Sequence, residues 1–286
     1  MVILYKNKKI KWPEGVFIFS AVFALGFALF MLAMLLVKIL HDGFLRLNWQ
    51  FLTSFPSRNP EEAGILSALA GSFYLVILTA FIAVPLGVGA AIYFEKYAKK
   101  NWFNEIMEIN IGTLAGIPSI IYGLLGLGLF VRIMSLDRSL IAGSLTLAIL
   151  ILPIIIISAR EAIRSIPSSI QEGAFALGAT RSQLIKTIIM PLALPGILTG
   201  VILSISRAIG ETAPLIAMGA LTYIAFLPKN VMSYFTALPI QIFNWVSRPQ
   251  TAFHVNAAAG IIVLISITLL LNMLAIFLRN RFHKGC

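Results

Sequence analysis

The sequence predicts an all-α membrane protein that crosses the bilayer six times, and three observations carry that reading. Of the 286 residues 59% are hydrophobic and only 12% are charged, about half the charge that a soluble domain of this size carries on its surface. Mean hydropathy is +0.94. Six apolar runs are long enough to cross a hydrocarbon layer about 30 Å thick, which takes about 20 residues of helix. The basic residues that give a net charge of +11 sit in the gaps between those runs. They form no patch or stripe of the kind that binds nucleic acid, so that partner is excluded.

The first run, Val16–Val37, is too long for a cleavable signal, and no small-residue cleavage site follows it. The second is Ala63–Phe94, the third Ile109–Val131, the fourth Ser139–Ala159 and the sixth Val255–Leu278, all without charge. The fifth, Pro191–Phe226, carries the charged residues Arg207 and Glu211. Lys and Arg collect on the cytoplasmic side of membrane proteins. Fourteen of the 22 basic residues lie at the N-terminus (Lys6, Lys8, Lys9, Lys11), in the second and fourth loops (Lys96, Lys99, Lys100; Arg160, Arg164, Arg181, Lys186) and in the tail (Arg279, Arg281, Lys284). The alternate loops hold Arg46, Arg58, Arg132, Arg138, Lys229 and Arg248. Both termini are therefore expected in the cytoplasm. Reading the fifth run as two crossings would put the basic tail outside, so one broken helix is expected there.

Interior prolines at positions 85, 118, 153, 195 and 214 are tolerated in a bilayer where neighbouring helices or a cavity satisfy the freed carbonyl. Gly112-x-x-x-Gly116 and Gly196-x-x-x-Gly200 offer close helix contact. The organisation follows: residues 1–62 hold the N-terminal segment, first helix and outer loop; 63–279 hold the transmembrane core; 280–286 are a cytoplasmic tail.

Several chemistries have no basis in the sequence. No Gly precedes a Lys, so there is no Walker-type phosphate loop, and no Gly-x-Ser-x-Gly nucleophile elbow occurs. His41, His254 and His283 are far apart, and the single cysteine, Cys286, ends the chain; no metal site, disulfide or cofactor is expected. With no nucleophile–base set the chain is not expected to be an enzyme. If ATP drives it, another subunit hydrolyses the ATP.

The polar stretch from about 160–190 is the most informative loop. Pro167 closes the preceding helix. Ser169-x-x-Glu172 reads as a capping box opening a short helix, and Gly178 stops that helix. Thr180-x-x-Gln183 reads as a second capping box. Ala174, Phe175 and Leu177 would face a cytoplasmic partner; a loop resting on lipid headgroups is the alternative. The spacing Glu172-Gly173-Ala174, Gly178, Ile188 and Pro191 resembles the EAA motif of ATP-binding cassette (ABC) importer permeases, departing at Gly173 and Met190, where that motif has Ala and Leu. The resemblance implies the type I ABC importer permease fold. It also implies a coupling helix around Glu172, Gly173, Ala174, Phe175, Leu177 and Gly178 that docks on a separate ATPase.

Arg207 and Glu211 lie one helical turn apart, and Arg207 falls about 18 Å into the helix counted from Pro195 at about 1.5 Å per residue. A charge at that depth costs about 2.5–3.5 kcal/mol on insertion scales, so it is paired or functional. A structural ion pair is one reading; the other is an anion site, since Arg offers a planar fork to oxyanions. The stretch Ser206-Arg207-Ala208-Ile209-Gly210-Glu211-Thr212-Ala213-Pro214-Leu215 resembles the signature of phosphate-importer permeases, its ending that of the PstA-type subunit. The resemblance implies a substrate pathway through Arg207, Glu211 and Thr212. The partners it implies are a PstC-type sister permease, a PstB-type ATPase dimer and a PstS-type external phosphate-binding protein, around a multi-pass subunit of the cytoplasmic membrane in contact with its lipid. Ile157 stands where relatives often carry an arginine, and Arg160 one turn later is the candidate to replace it. Another oxyanion such as molybdate or sulfate, or an ion-coupled carrier using Arg207 and Glu211 as a relay, remain as alternatives. The outer loops Asn48–Glu62 and Lys229–Asn256 are expected to meet the binding protein.

Overall fold

A computed structural model describes residues 12–99, 101–220 and 223–283. Lys6, Lys8, Lys9, Lys11, Lys100, Lys284 and Cys286 lie outside them. Among the described residues the chain is helical, with one isolated bridge between Ser139 and Tyr234. In order, α1 spans Trp12–Gly43 and α2 Trp49–Thr53. Helix α3 (Leu66–Ile92) is prolonged by a π-helical turn, Tyr93–Tyr97. Next come α4 (Trp102–Leu114) and α5 (Ser119–Gly126), the latter continued by π-helical Leu127–Ile133. Then follow α6 (Leu140–Arg164), α7 (Ser168–Ala176) and α8 (Arg181–Gln183), which runs through π-helical Leu184–Ile189 into α9 (Met190–Gly210). The chain closes with α10 (Ala213–Met218), α11 (Leu238–Val246) and α12 (Thr251–His283).

Five helices, Gly15–Arg46, Leu66–Tyr97, Leu140–Arg164, Arg181–Gly210 and Thr251–Arg281, are long and apolar enough to cross a membrane. The third expected crossing, Ile109–Val131, is broken at its proline and longer than its apolar run: it consists of two pieces, Trp102–Leu114 and Ser119–Ile133, bent by 106°. Pro118 causes the break, because its ring forbids helical hydrogen bonding and pushes the residue before it out of helical conformation. The Tyr122 hydroxyl then donates to the freed Leu114 carbonyl at 2.7 Å.

The fifth run also departs from one broken helix ending at Phe226. Helix stops at Gly210, resumes only for α10 and ends at Gly219 in a left-handed conformation, φ +92°. Beyond Gly219 the described residues up to Phe226 are irregular. Counting the bent pair as one span leaves six.

Helix α6 is the centre, buried along most of its length against α3, α9 and α5. Lipid supplies no hydrophobic drive for helices to associate, so close backbone approach has to supply it. Gly196 and Gly200 do so: a Cβ on Gly196 would stand 2.7 Å from that of Ala162, and one on Gly200 2.5 Å from that of Ser158. Gly112 is unlike them, with no atom within 4 Å of an added Cβ, and Gly116 would meet only its own segment at Thr113. That pair therefore makes no close contact with another helix.

Helix α1 packs mainly on α12 and turns the stacked rings of Phe19, Phe23 and Phe27 outward. Beyond it, Arg46 fastens the following loop. Its Nε donates to Asn256 Oδ1 at 2.8 Å, its Nη1 to Gln50 Oε1 at 2.9 Å and its Nη2 to the Pro60 and Ala63 carbonyls at 3.1 and 3.0 Å. Phe51 and Trp245 lie buried below, ring centroids 5.9 Å apart. This end of the molecule is a tied cap that joins α2, α11 and the start of α12.

Candidate functional site

The sequence-derived residues separate into two places. Arg207 stands in the last turn of α9, and Glu211 is the residue that follows the helix end. The Arg207 Nε stands 3.2 Å from Glu211 Oε1, with the Arg207 side chain 48% exposed and that of Glu211 15%. Helix α9 ends between them and α10: Glu211 is already extended, at φ −74° and ψ 121°, and Thr212 precedes the restart at Ala213. Pro214 explains the interruption, since it brings no N–H to continue the ladder and suits the first turn of a new helix. Gly123 of α5 makes room for the Pro214 backbone, so the break is held from outside.

Beside the pair is an open cavity of about 470 Å³, lined by Ser206, Arg207 and Gly210 from α9, by Glu211 just past its end, and by Leu264, Ile265, Thr268 and Leu269 from α12. Among the described residues the Nη atoms of Arg207 make no hydrogen bond; its single partner is Glu211 through Nε. A closed structural pair would use the whole fork. This one leaves two donor nitrogens turned toward open space. Thr212 lies half-buried at the helix break beside them.

The second place is the loop around residues 160–190. One capping box is corrected: α7 begins at Ser168, two residues earlier than a Ser169 cap implies, with Pro167 at its N-cap and no side-chain cap. Ser169 therefore falls inside the helix and cannot cap it. The second box is present: Thr180 Oγ1 accepts from the Gln183 N–H at 3.3 Å, and Gln183 Oε1 accepts from the Thr180 N–H at 2.8 Å. Helix α7 ends as a Schellman motif. The Ala179 N–H reaches the Ala174 carbonyl at 3.0 Å and the Gly178 N–H the Phe175 carbonyl at 2.9 Å, with Gly178 at φ +80°. Leu177 is 91% exposed and Phe175 48%, whereas Ala174 is buried in the core and offers no partner surface. Glu172 is exposed, as is Gly173, where a Cβ would meet nothing within 4 Å.

The π-helical turn at the end of α3 fastens this loop to the bundle. Lys96 Nζ donates to Gln171 Oε1 of α7 at 3.0 Å, and Arg181 lies over the Tyr97 ring at 5.9 Å. Glu95 meets Arg164 at 2.9 Å. Arg160 is taken up in the same cluster, 2.6 Å from Glu108 and 3.7 Å from Glu95, with only 8% of its side chain exposed. Arg164 also reaches Glu108, at 3.2 Å. Sequence reasoning missed Glu95 and Glu108. A carboxylate directly after the second apolar run and another directly before the third were the available signal, but the spacing gave no hint that both would face α6.

Residues 83–285 match the family described as binding-protein-dependent transport system inner membrane component. The chain is 34% identical over 270 residues to the phosphate transport system permease protein PstA of Mycobacterium leprae, covering 91% of this chain and 87% of that one. It is 34% identical over 257 residues to the protein of the same name from Haemophilus influenzae, covering 90% and 89%. A solved bacterial alginate ABC transporter, in complex with a pentasaccharide-bound periplasmic protein, superposes with a TM-score of 0.70 at 15% identity, over 95% of this chain and 96% of that chain. At that identity the likeness speaks to the fold alone.

Proposed function

This chain belongs to the family of binding-protein-dependent transport system inner membrane components, and from that premise we propose that it is a membrane-spanning subunit of an ATP-driven phosphate importer. The observation that carries the cargo is Arg207. A guanidinium half-exposed beside a cavity between α9 and α12, with unused Nη donors, is too costly to leave facing lipid. It matches an oxyanion, which accepts hydrogen bonds and brings negative charge. Glu211 opposes that attraction and keeps the site weak enough to release what it holds, as conduction requires. The permease relatives at 34% identity, named for phosphate transport, support phosphate over other oxyanions.

The subunit works with a sister permease, a dimeric ATPase that docks at Phe175 and Leu177 of the coupling loop, and an external phosphate-binding protein that meets the tied outer cap. Arg160 is held by Glu95 and Glu108, next to the turn whose Lys96 reaches the coupling loop at Gln171. The reconstituted complex should import radiolabelled phosphate only with ATP and loaded binding protein. Equal import of sulfate or molybdate would reject the cargo, and import driven by an ion gradient without ATP would reject the class. Both termini lie in the cytoplasm on the charge bias. Tags at Lys9 and Lys284 should resist external protease while one at Arg248 is cut; a cut C-terminal tag would require an odd number of crossings.

A further inference from the structure

The cavity between α9 and α12 holds acceptors as well as donors. Thr268 of α12 and Ser206 of α9 both line it. A hydroxyl has one hydrogen to give and two lone pairs that accept. The Thr268 hydroxyl already donates to the Leu264 carbonyl one turn back, at 2.8 Å. The Ser206 hydroxyl donates to Asn272 Oδ1 at 2.9 Å. Toward anything in the cavity, each of these two oxygens can therefore only accept. Glu211 adds a carboxylate: Oε1 accepts from Arg207 Nε, and Oε2 makes no hydrogen bond among the described residues. The rest of the lining, Gly210, Leu264, Ile265 and Leu269, brings no polar side chain. The Arg207 fork thus stands as the donor group against the acceptors of Ser206, Glu211 and Thr268.

That balance discriminates between oxyanions. Near neutral pH inorganic phosphate always carries at least one proton on oxygen, and so does arsenate. Sulfate and molybdate carry none and offer acceptors alone. A protonated oxyanion satisfies both halves of the lining, its ionised oxygens on Arg207 and its O–H on an acceptor. An unprotonated one meets Arg207 but sets its remaining oxygens against the Glu211 carboxylate and the hydroxyl lone pairs, which repel them. A site built to bond a substrate hydroxyl rejects the analogue without it, because its own polar groups are then left unpaired.

We propose that this cavity selects oxyanions that carry a proton, with Glu211 and Thr268 Oγ1 accepting the anion's O–H while Arg207 holds its ionised oxygens. This selection rests on the reading of Arg207 as part of the substrate pathway. It supplies a reason within the membrane for taking phosphate in preference to sulfate. Thr268 thereby acquires a role in specificity, and its own bond, which stays within α12, ties no other helix.

The test measures binding of radiolabelled phosphate and sulfate to the purified permease–ATPase complex without binding protein, at one pH near neutral. Arsenate, sulfate and molybdate are the competitors, and complex yield is recorded alongside. The same measurement on Arg207→Gln isolates this cavity from phosphate held at the nucleotide sites, since only the part that this change removes is counted. Arsenate should displace that part as well as phosphate does, whereas sulfate and molybdate should be weaker by about tenfold or more. Thr268→Val removes the acceptor oxygen and should weaken phosphate about tenfold while leaving sulfate unchanged. Thr268→Ser should restore the preference, and both variants should assemble at wild-type yield. Sulfate competing as well as phosphate in the wild-type complex overturns the proposal, with no variant needed. So does a Thr268→Val loss shared equally by both anions. If Arg207→Gln removes no phosphate binding, the pathway reading itself falls, and the selection with it.

Discussion

Arg207→Gln should abolish phosphate uptake, by at least about 100-fold, while the complex still assembles and docks its ATPase. Glutamine keeps a hydrogen-bond donor but loses both the charge and the planar fork that grip an oxyanion. The competing account makes Arg207 and Glu211 a structural pair, and the two accounts diverge on stability. Breaking a buried pair by removing one partner strands the other charge and costs about 3–5 kcal/mol, which would appear as lost complex yield. Here the pair is not enclosed, since nearly half of the Arg207 side chain is exposed beside the cavity. Glu211→Gln should therefore also fold and transport poorly. The double variant Arg207→Gln with Glu211→Gln removes both charges and separates the accounts. On the structural account it recovers yield and activity together; on the transport account it folds and stays inactive. Uptake at the wild-type rate by the double variant would remove Arg207 from the pathway.

Gly178→Val should leave membrane insertion and yield intact yet prevent productive docking of the ATPase, lowering transport about tenfold or more through a local strain of about 1–2 kcal/mol. The reason is conformational and not steric. A Cβ at Gly178 would meet no atom within 4 Å, but φ is +80°, a region a β-branched residue resists strongly. The chain would have to unwind the Schellman turn, and with it the angle at which Phe175 and Leu177 are presented. Gly178→Asn is the control, because asparagine enters the left-handed region readily, and it should dock far better than valine. Normal ATPase binding and transport by Gly178→Val would mean that this loop does not couple the two proteins.

Much of the bundle was legible because its signals are local. Long uncharged runs, a left-handed Gly178, the box at Thr180 and Gln183, and the break around Pro214 depend on neighbours within one or two turns. Even so, local signals misled where two of them competed. Ser169 and Glu172 have capping-box spacing, but Pro167 took the N-cap. Gly112 and Gly116 have the spacing of Gly196 and Gly200, yet only the latter pair meets another helix. Ala174 belongs to the EAA-like stretch but faces inward, because helical periodicity turns one side of α7 toward the core.

By itself the sequence determined an all-helical membrane protein, its six apolar runs, its basic loops and the pair Arg207 and Glu211 one turn apart, since these follow from transfer energies and spacings along a single helix. Only the tertiary structure decided that the third run bends by 106°, that Arg160 is bound by Glu95 and Glu108, and that Asn272 stands against Ser206. Each of these joins residues 52 or more positions apart in sequence or depends on which neighbour can satisfy a freed polar group. In a bilayer lipid cannot satisfy such a group, so the choice of partner is made only when the helices meet.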